Sequence, residues 1–228
     1  MFRPYVAVFA LAAALAPAVF AETEADKRLD ASADLLTDMM QASDKGIPQD
    51  LLDKSHCVIL VPGLKKAGFI LGAKYGRGFA MCRQASGTGW TAPAAIKIEG
   101  GSVGFQWGAA EQDVLLLVTN DTGMKHLLRN KFTLGAEATA AAGPVGRDAS
   151  AQTDAVMRAE MLSYSRSRGL FAGISLGGAT LRPDADANEE MYGKPIGNKE
   201  ILTGSIPPPA GAAKVEDLLN RNSSRIVK

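Results

Sequence analysis

Residues 164–181 read YSRSRGLFAGISLGGATL. The stretch opens polar and basic, with Arg166 and Arg168 two apart, and turns apolar at Gly169; the next charge is Arg182. Leu170, Ala172, Ile174 and Leu176 fall on one side of a period-two chain, and Phe171, Gly173, Ser175 and Gly177 on the other. Gly169, Gly173, Gly177 and Gly178 argue against a helix, at roughly 1 kcal/mol for each interior glycine. The pattern predicts a buried strand over 169–181, with glycines at bends or close backbone approaches.

The neighbouring stretches follow the same grammar. Residues 58–61 form a buried-type strand stopped by Pro62-Gly63, and 67–83 a long strand or hairpin with Gly68, Gly72, Gly76 and Gly78 recurring through it. Residues 86–89 read as a turn. Strands follow at 90–98, 102–107 and 114–119, with turns at Gly100-Gly101 and Glu111-Gln112. Residues 131–142 and 155–165 fit strand or helix by pattern; Phe132, Thr133 and Thr139 favour strand in the first, and strand is expected in the second as well.

Helices are expected at 23–42, 48–53, 122–130 and 184–192, the last ended by Gly193. The first carries an apolar stripe of Ala25, Leu29, Ala33, Leu36 and Met40, and a polar face of Asp26, Asp30, Asp34 and Asp38. Pro207-Pro208-Pro209 reads as a stiff linker, and Val215, Leu218, Leu219 and Asn222 mark a short terminal helix within 205–228. The expected fold is α+β: one domain over 22–204 built on a curved, mainly antiparallel, glycine-rich sheet, barrel- or sandwich-like, flanked by a few helices.

Five blocks, in order, carry a family resemblance: CVILVPGLKKAGFILGAKYGRGFAMCR (57–83), GWTAPAAIKIEGGSVGFQWG (89–108), DVLLLVTN (113–120), KFTLGAEATAAAGPVGR (131–147) and YSRSRGLFAGISLGGATLRPDADANEEMYG (164–193). Together they resemble the SYLF-domain family over about residues 29–204. The resemblance implies membrane-lipid binding, with phosphoinositide and actin binding in eukaryotic members, and brings no catalytic residues. Some SYLF proteins are similar in carrying an amphipathic N-terminal helix for membrane contact. Here the polar face of 23–42 is acidic and would be repelled by anionic head groups, so this helix is expected to dock on the core.

Residues 1–21 read as a cleaved secretory signal peptide: Arg3, an apolar run from Val6 to Leu15, then Val19-Phe20-Ala21 before the cut. The expected location is therefore outside the cytoplasm, periplasmic or peripheral to the envelope membrane. Without Arg3 the chain holds 24 basic and 24 acidic residues. The distribution is uneven. Nine acids face four bases over 22–62, and fourteen bases face eight acids over 63–182. An acidic arm precedes a basic core, which suits an anionic partner for the core or an arm that docks on it.

The two cysteines, Cys57 and Cys82, lie in predicted strands. Export makes a disulfide between them plausible; two separate buried thiols are the alternative. Only His56 and His126 could join them at a metal, and the spacing fits no zinc motif. GAKYGRG at 72–78 has the wrong order for a dinucleotide fingerprint, and no phosphate-binding G-x-x-x-x-G-K-[ST] occurs. Neither histidine is placed beside a nucleophile, and Glu99, Glu111, Asp113 and Glu137 do not pair by pattern. No enzyme chemistry and no cofactor are expected.

Basic residues are the stronger signal. No acid lies between Asp53 and Glu99, nor between Glu160 and Asp184. Lys65, Lys66, Lys74, Arg77, Arg166, Arg168 and Arg182 are the candidate phosphate ligands for an anionic phospholipid surface, Lys65 and Lys66 at a projecting turn. Nucleic acid fits less well, because net charge is near zero and few aromatics interleave with the bases. An envelope protein partner, reached through a scaffold role, is the second expected class.

Overall fold

The computed structural model describes residues 22–42, 46–146, 158–167 and 170–224, with backbone only at 69–71 and 102–109. Helix α1 spans Glu24–Gln41 and α2 Gln49–Lys54. Two long strands follow, β1 at Cys57–Cys82 and β2 at Ala94–Val118. Helix α3 is Asp121–Leu127, and short strands lie at Phe132–Thr133 (β3) and Ala140–Ala142 (β4). Strands β5 (Met161–Ser167), β6 (Leu170–Gly173) and β7 (Ala179–Pro183) complete the sheet. Helices α4 (Ala185–Tyr192), α5 (Asn198–Thr203) and α6 (Ala213–Asn222) close the chain.

The result is a single α+β domain around a curled seven-stranded sheet ordered β3-β7-β2-β5-β4, with β1 on β2 and β6 on β5. Among the described strands the pairings are antiparallel except β4 with β5, which is parallel. The two faces of the sheet alternate residue by residue. Cys57, Ile59, Val61, Leu116 and Val118 join one apolar layer with Phe132, Leu181 and Ile201. Val58, Leu60, Leu115 and Leu117 join the other, with α1 and α6. Burial on both faces is why 58–61 shows no polar alternation.

Three expected strands over 90–119 are one strand, β2, and the break expected at Pro62-Gly63 is a bulge inside β1. The glycines that suggested turns serve packing. A Cβ on Gly100 would stand 2.6 Å from the Gly178 carbonyl oxygen, so this glycine admits the neighbouring chain. Conversely, the single strand expected over 169–181 is two, β6 and β7, separated by a turn at Gly177–Gly178 where Gly178 has φ 74°. Residues 131–142 are largely loop, holding only β3 and β4, because Glu137 accepts from the Thr133 N–H and closes a turn. Of 155–165, residues 155–157 lie outside the described residues, and regular strand begins at Met161.

Helix α1 forms where the sequence places it, because Thr23 and Asp26 make a reciprocal capping box. It docks on the sheet through Leu29, Leu35, Leu36 and Met39, and its acids meet Lys214 and Arg166. Met39 rather than Met40 is the buried methionine. Helix α6 packs against α1 through Val215 and Leu219. The Ser223 carbonyl behind it accepts from Arg83 (2.6 Å) and from the Trp90 indole N–H (2.7 Å). Helix α5 was not foreseen. It is held by Asn198, which donates to the Ala95 carbonyl (2.9 Å) and accepts from Asn188 (2.6 Å).

The β1–β2 ribbon bends back on itself until the two ends of β1 meet. The Arg83 N–H donates to the His56 carbonyl at 2.8 Å, and the Sγ atoms of Cys57 and Cys82 are 2.07 Å apart, a disulfide. The fold-back needs glycine at its crossing. A Cβ on Gly78 would lie 2.0 Å from the Leu60 carbonyl oxygen and 2.9 Å from Val61 Cα, both backbone atoms. Gly78→Ala should therefore cost about 1–3 kcal/mol, the scale of overpacking a core. Gly197→Ala, with nothing within 4 Å of its Cβ, should stay within about 0.5 kcal/mol of the parent. Urea unfolding of the two variants checks this; equal midpoints would show that the crossing is not tight.

Candidate functional site

The middle of the ribbon stands clear of this crossing. Beyond Leu64 and before Gly76, β1 runs outward and returns, with β2 paired along it from Glu111 to Glu99. Between Gly68 and Ile70, β1 has one residue where β2, from Gly104 to Gly108, has three, so β2 takes the longer path around the bend. Lys65 and Lys66, expected at a projecting turn, lie instead in the outgoing limb of this bent ribbon. Lys65 is exposed, Lys66 half-buried, and Lys74 on the returning limb is buried.

Among the described residues, none of these three lysines is in an ion pair. Glu111 is the cross-strand neighbour of Lys65, but its carboxylate leans toward the bulge at Gly63. The Lys74 ammonium donates to the Gly177 carbonyl at 3.2 Å. Burial pushes the Lys66 and Lys74 ammonium groups below the ordinary lysine range, and Lys66 adds to the effect on Lys74.

The candidate arginines have a different setting. Arg77 donates through Nε to Asp184 Oδ2 at 2.5 Å, and this hydrogen bond raises its pKa. Lys97 meets the other oxygen of the same carboxylate at 2.9 Å. Arg166 donates from Nε and Nη2 to Asp113 Oδ2 (2.9 and 2.5 Å), and Nη1 contacts Asp38 of α1. Burial raises the Asp113 carboxyl, against the Gly63 N–H that hydrogen-bonds to it. Arg182 grips Glu99 with two hydrogen bonds, 3.0 and 2.7 Å. Arg168 lies outside the described residues.

The structure therefore separates the predicted set. Lys65, Lys66 and Lys74 share the projecting ribbon, while Arg77, Arg166 and Arg182 are each matched by a carboxylate. Their partners Asp184, Asp113 and Glu99 were missed as partners because they lie 107, 53 and 83 residues away. Among the described residues two large apolar side chains are exposed, Tyr75 (45%) on the returning limb and Leu170 (67%) at the start of β6.

His56 Nδ1 lies 3.4 Å from Asp121, and His126 Nε2 3.6 Å from Glu160. Among the described residues no cluster of three His, Cys, Asp or Glu could hold a metal, and no helix is long and apolar enough to cross a membrane.

Comparison with known proteins adds the family. Residues 99–222 match the family model described as Ysc84, Las17-binding protein actin regulator. An SH3 domain-containing protein of Schizosaccharomyces pombe is 36% identical over 177 residues, covering 76% of this chain and 41% of that protein. SH3 domain-containing YSC84-like protein 1 of Rattus norvegicus is 34% identical over 178 residues, covering 78% and 52%. LAS seventeen-binding protein 3 of Saccharomyces cerevisiae is 35% identical over 172 residues, covering 74% and 37%. The chain thus spans about half the length of these relatives or less. The match reaches from the returning half of the ribbon to the terminal helix, through the block 164–193 that first carried the resemblance, and the chain belongs to the Ysc84, or SYLF-domain, family.

Proposed function

We propose that this chain is a non-enzymatic, exported docking module that binds anionic phospholipid at the envelope through the projecting β1–β2 ribbon. The observation that carries this reading is the contrast in basic residues. Lys65, Lys66 and Lys74 sit together on the projection without a described carboxylate partner, while Arg77, Arg166 and Arg182 are each paired with a carboxylate of this chain. Each basic residue near an anionic surface is worth about 1 kcal/mol. An exported protein would meet phosphatidylglycerol or cardiolipin. Residues 1–21 would direct the export.

A second reading, a protein-interaction scaffold, is favoured by the family description and by the relatives' names, which speak of Las17 binding and actin regulation. Under that reading the same ribbon presents Lys65 and Tyr75 to a protein partner. Flotation on phosphatidylcholine vesicles with and without phosphatidylglycerol separates the two. Binding should rise with the anionic fraction and fall with salt, since exposed charges are screened over about 8 Å at physiological ionic strength. Lys65→Glu with Lys66→Glu should weaken binding by about 2 kcal/mol or more while the fold survives. Binding indifferent to salt and lipid charge would overturn the lipid reading. Failure to float, together with stoichiometric capture of an envelope protein, would favour the scaffold.

A further inference from the structure

The two limbs of β1 touch at their base. A Cβ on Gly76 would lie 2.7 Å from Val61 Cγ1, 3.1 Å from Leu64 Cδ1 and 3.4 Å from Leu64 Cα. Residues 64 and 76 therefore face each other on the inner side of the bent ribbon. Side chains alternate along a strand, so two residues farther out on each limb the same inner side is occupied by Lys66 and Lys74. Burial follows this parity: Leu64, Lys66 and Lys74 are buried or half-buried, whereas Lys65, Ala67, Ala73 and Tyr75 on the outer side are exposed. Behind Lys74 lies the glycine turn between β6 and β7, whose Gly177 carbonyl accepts one of the three ammonium hydrogens at 3.2 Å.

Lys74 is only 7% exposed. Two lysines on the same inner side of the bent ribbon, both partly withdrawn from water and without a described carboxylate partner, make an unfavourable arrangement by themselves. The electrostatics agree with the geometry, because burial and the charge of Lys66 both disfavour the proton on Lys74. An anion seated between the limbs would remove the repulsion and supply acceptors for the remaining N–H groups.

We propose that Lys66 and Lys74 grip one phosphomonoester dianion in the cleft between the two limbs of β1. This rests on the phosphate-binding reading above and sharpens it from a charged surface to a discrete site. A monoester offers three non-bridging oxygens and nearly two negative charges near pH 7, matching two ammonium groups; a diester offers two oxygens and one charge. The phosphate group can come from a lipid head group or from solution, and the chemistry of the grip is the same.

The test compares Lys66→Gln and Lys74→Gln with Lys65→Gln, an equal loss of charge on the outer side. Flotation uses phosphatidylcholine vesicles carrying phosphatidic acid, a monoester, or phosphatidylglycerol, a diester, at matched surface charge. On phosphatidic acid, Lys66→Gln and Lys74→Gln should each lose more than about tenfold, and the double variant little more than either single one, as for two groups on one ligand. Lys65→Gln should lose roughly fivefold or less, the share of one surface charge. Equal losses for all three lysines, adding in the double variants, would overturn the clamp and leave the surface reading intact.

Because Lys74 is buried, its variant could be disturbed in folding. The parent protein is therefore also titrated with inorganic phosphate, with the lysine ammonium and backbone resonances followed by NMR. Shifts centred on Lys66 and Lys74, saturating and sparing Lys65, support the clamp even if vesicles do not bind; in that case the lipid reading fails and a soluble phosphate ligand stands. No saturable shift at Lys66 and Lys74, with no preference for the monoester vesicle, overturns the clamp.

Discussion

Replacing Asp184 by alanine should destabilise the protein by about 3–5 kcal/mol, the range for removing one member of a buried ion pair. The carboxylate is 1% exposed and accepts from two cations, Arg77 at 2.5 Å and Lys97 at 2.9 Å. It also caps α4, accepting from the Ala187 N–H. Alanine would leave two positive charges facing each other at the junction of β1, β2 and β7. Burial alone would raise the Asp184 carboxyl, but the hydrogen bonds from Arg77 and Lys97 outweigh it and hold the group below the ordinary carboxylate range.

The sign of the pH effect follows. A carboxyl with a lowered folded pKa contributes stability that is complete above its unfolded value, about 3.9, and lost as pH falls through the folded value. The stability gap between the parent and Asp184→Asn should be widest near neutral pH and shrink below about pH 4. Thermal or urea unfolding across pH 2–7 measures it. A gap that stays constant to the acid end would show that the charge of Asp184 is not what the variant removes.

Loss of the Cys57–Cys82 bond should cost about 3 kcal/mol, from the loop-closure entropy of a sequence separation of 25. The bond clips the beginning of β1 to its end, so it restrains the fold-back that creates the projecting ribbon. Both cysteines are fully buried, and the Met124 sulfur packs 3.0 Å from Cys57 Sγ and 3.6 Å from Cys82 Sγ. Cys57→Ala with Cys82→Ala should lower the urea midpoint by the corresponding amount. Reductant should act slowly on the folded protein, because the sulfurs are reached by solvent only on opening. An unchanged midpoint in the double variant would show that the chain folds back equally well without the clip.

Much of the architecture is legible because it is local. The apolar stripe of Ala25, Leu29, Ala33 and Leu36 announces α1, and Gly193, with φ 66°, ends α4 in the left-handed conformation that glycine adopts freely. The apolar runs at 58–61 and 114–118 declare buried strands, and five ordered blocks declare the family. The glycine pairs are where local reading divides. Gly177–Gly178 is a turn, with Gly178 at φ 74°, whereas Gly100–Gly101 lies inside a continuous strand. Nothing within a few residues distinguishes them; the difference is that the chain around Gly178 passes within 2.6 Å of where a Gly100 Cβ would stand.

The basic set shows the same boundary at the level of the site. Composition alone identified a basic core and the lysines and arginines in it. Which of those charges remain available was decided by pairings across the folded chain, such as Arg77 with Asp184, 107 residues apart. The opposed placement of Lys66 and Lys74 depends on β1 crossing itself at Gly78 and Leu60. Secondary structure follows from periodicity and caps that span a few residues. The electrostatics of a surface follow from which distant residues the fold brings together, because charges interact through space rather than along the chain.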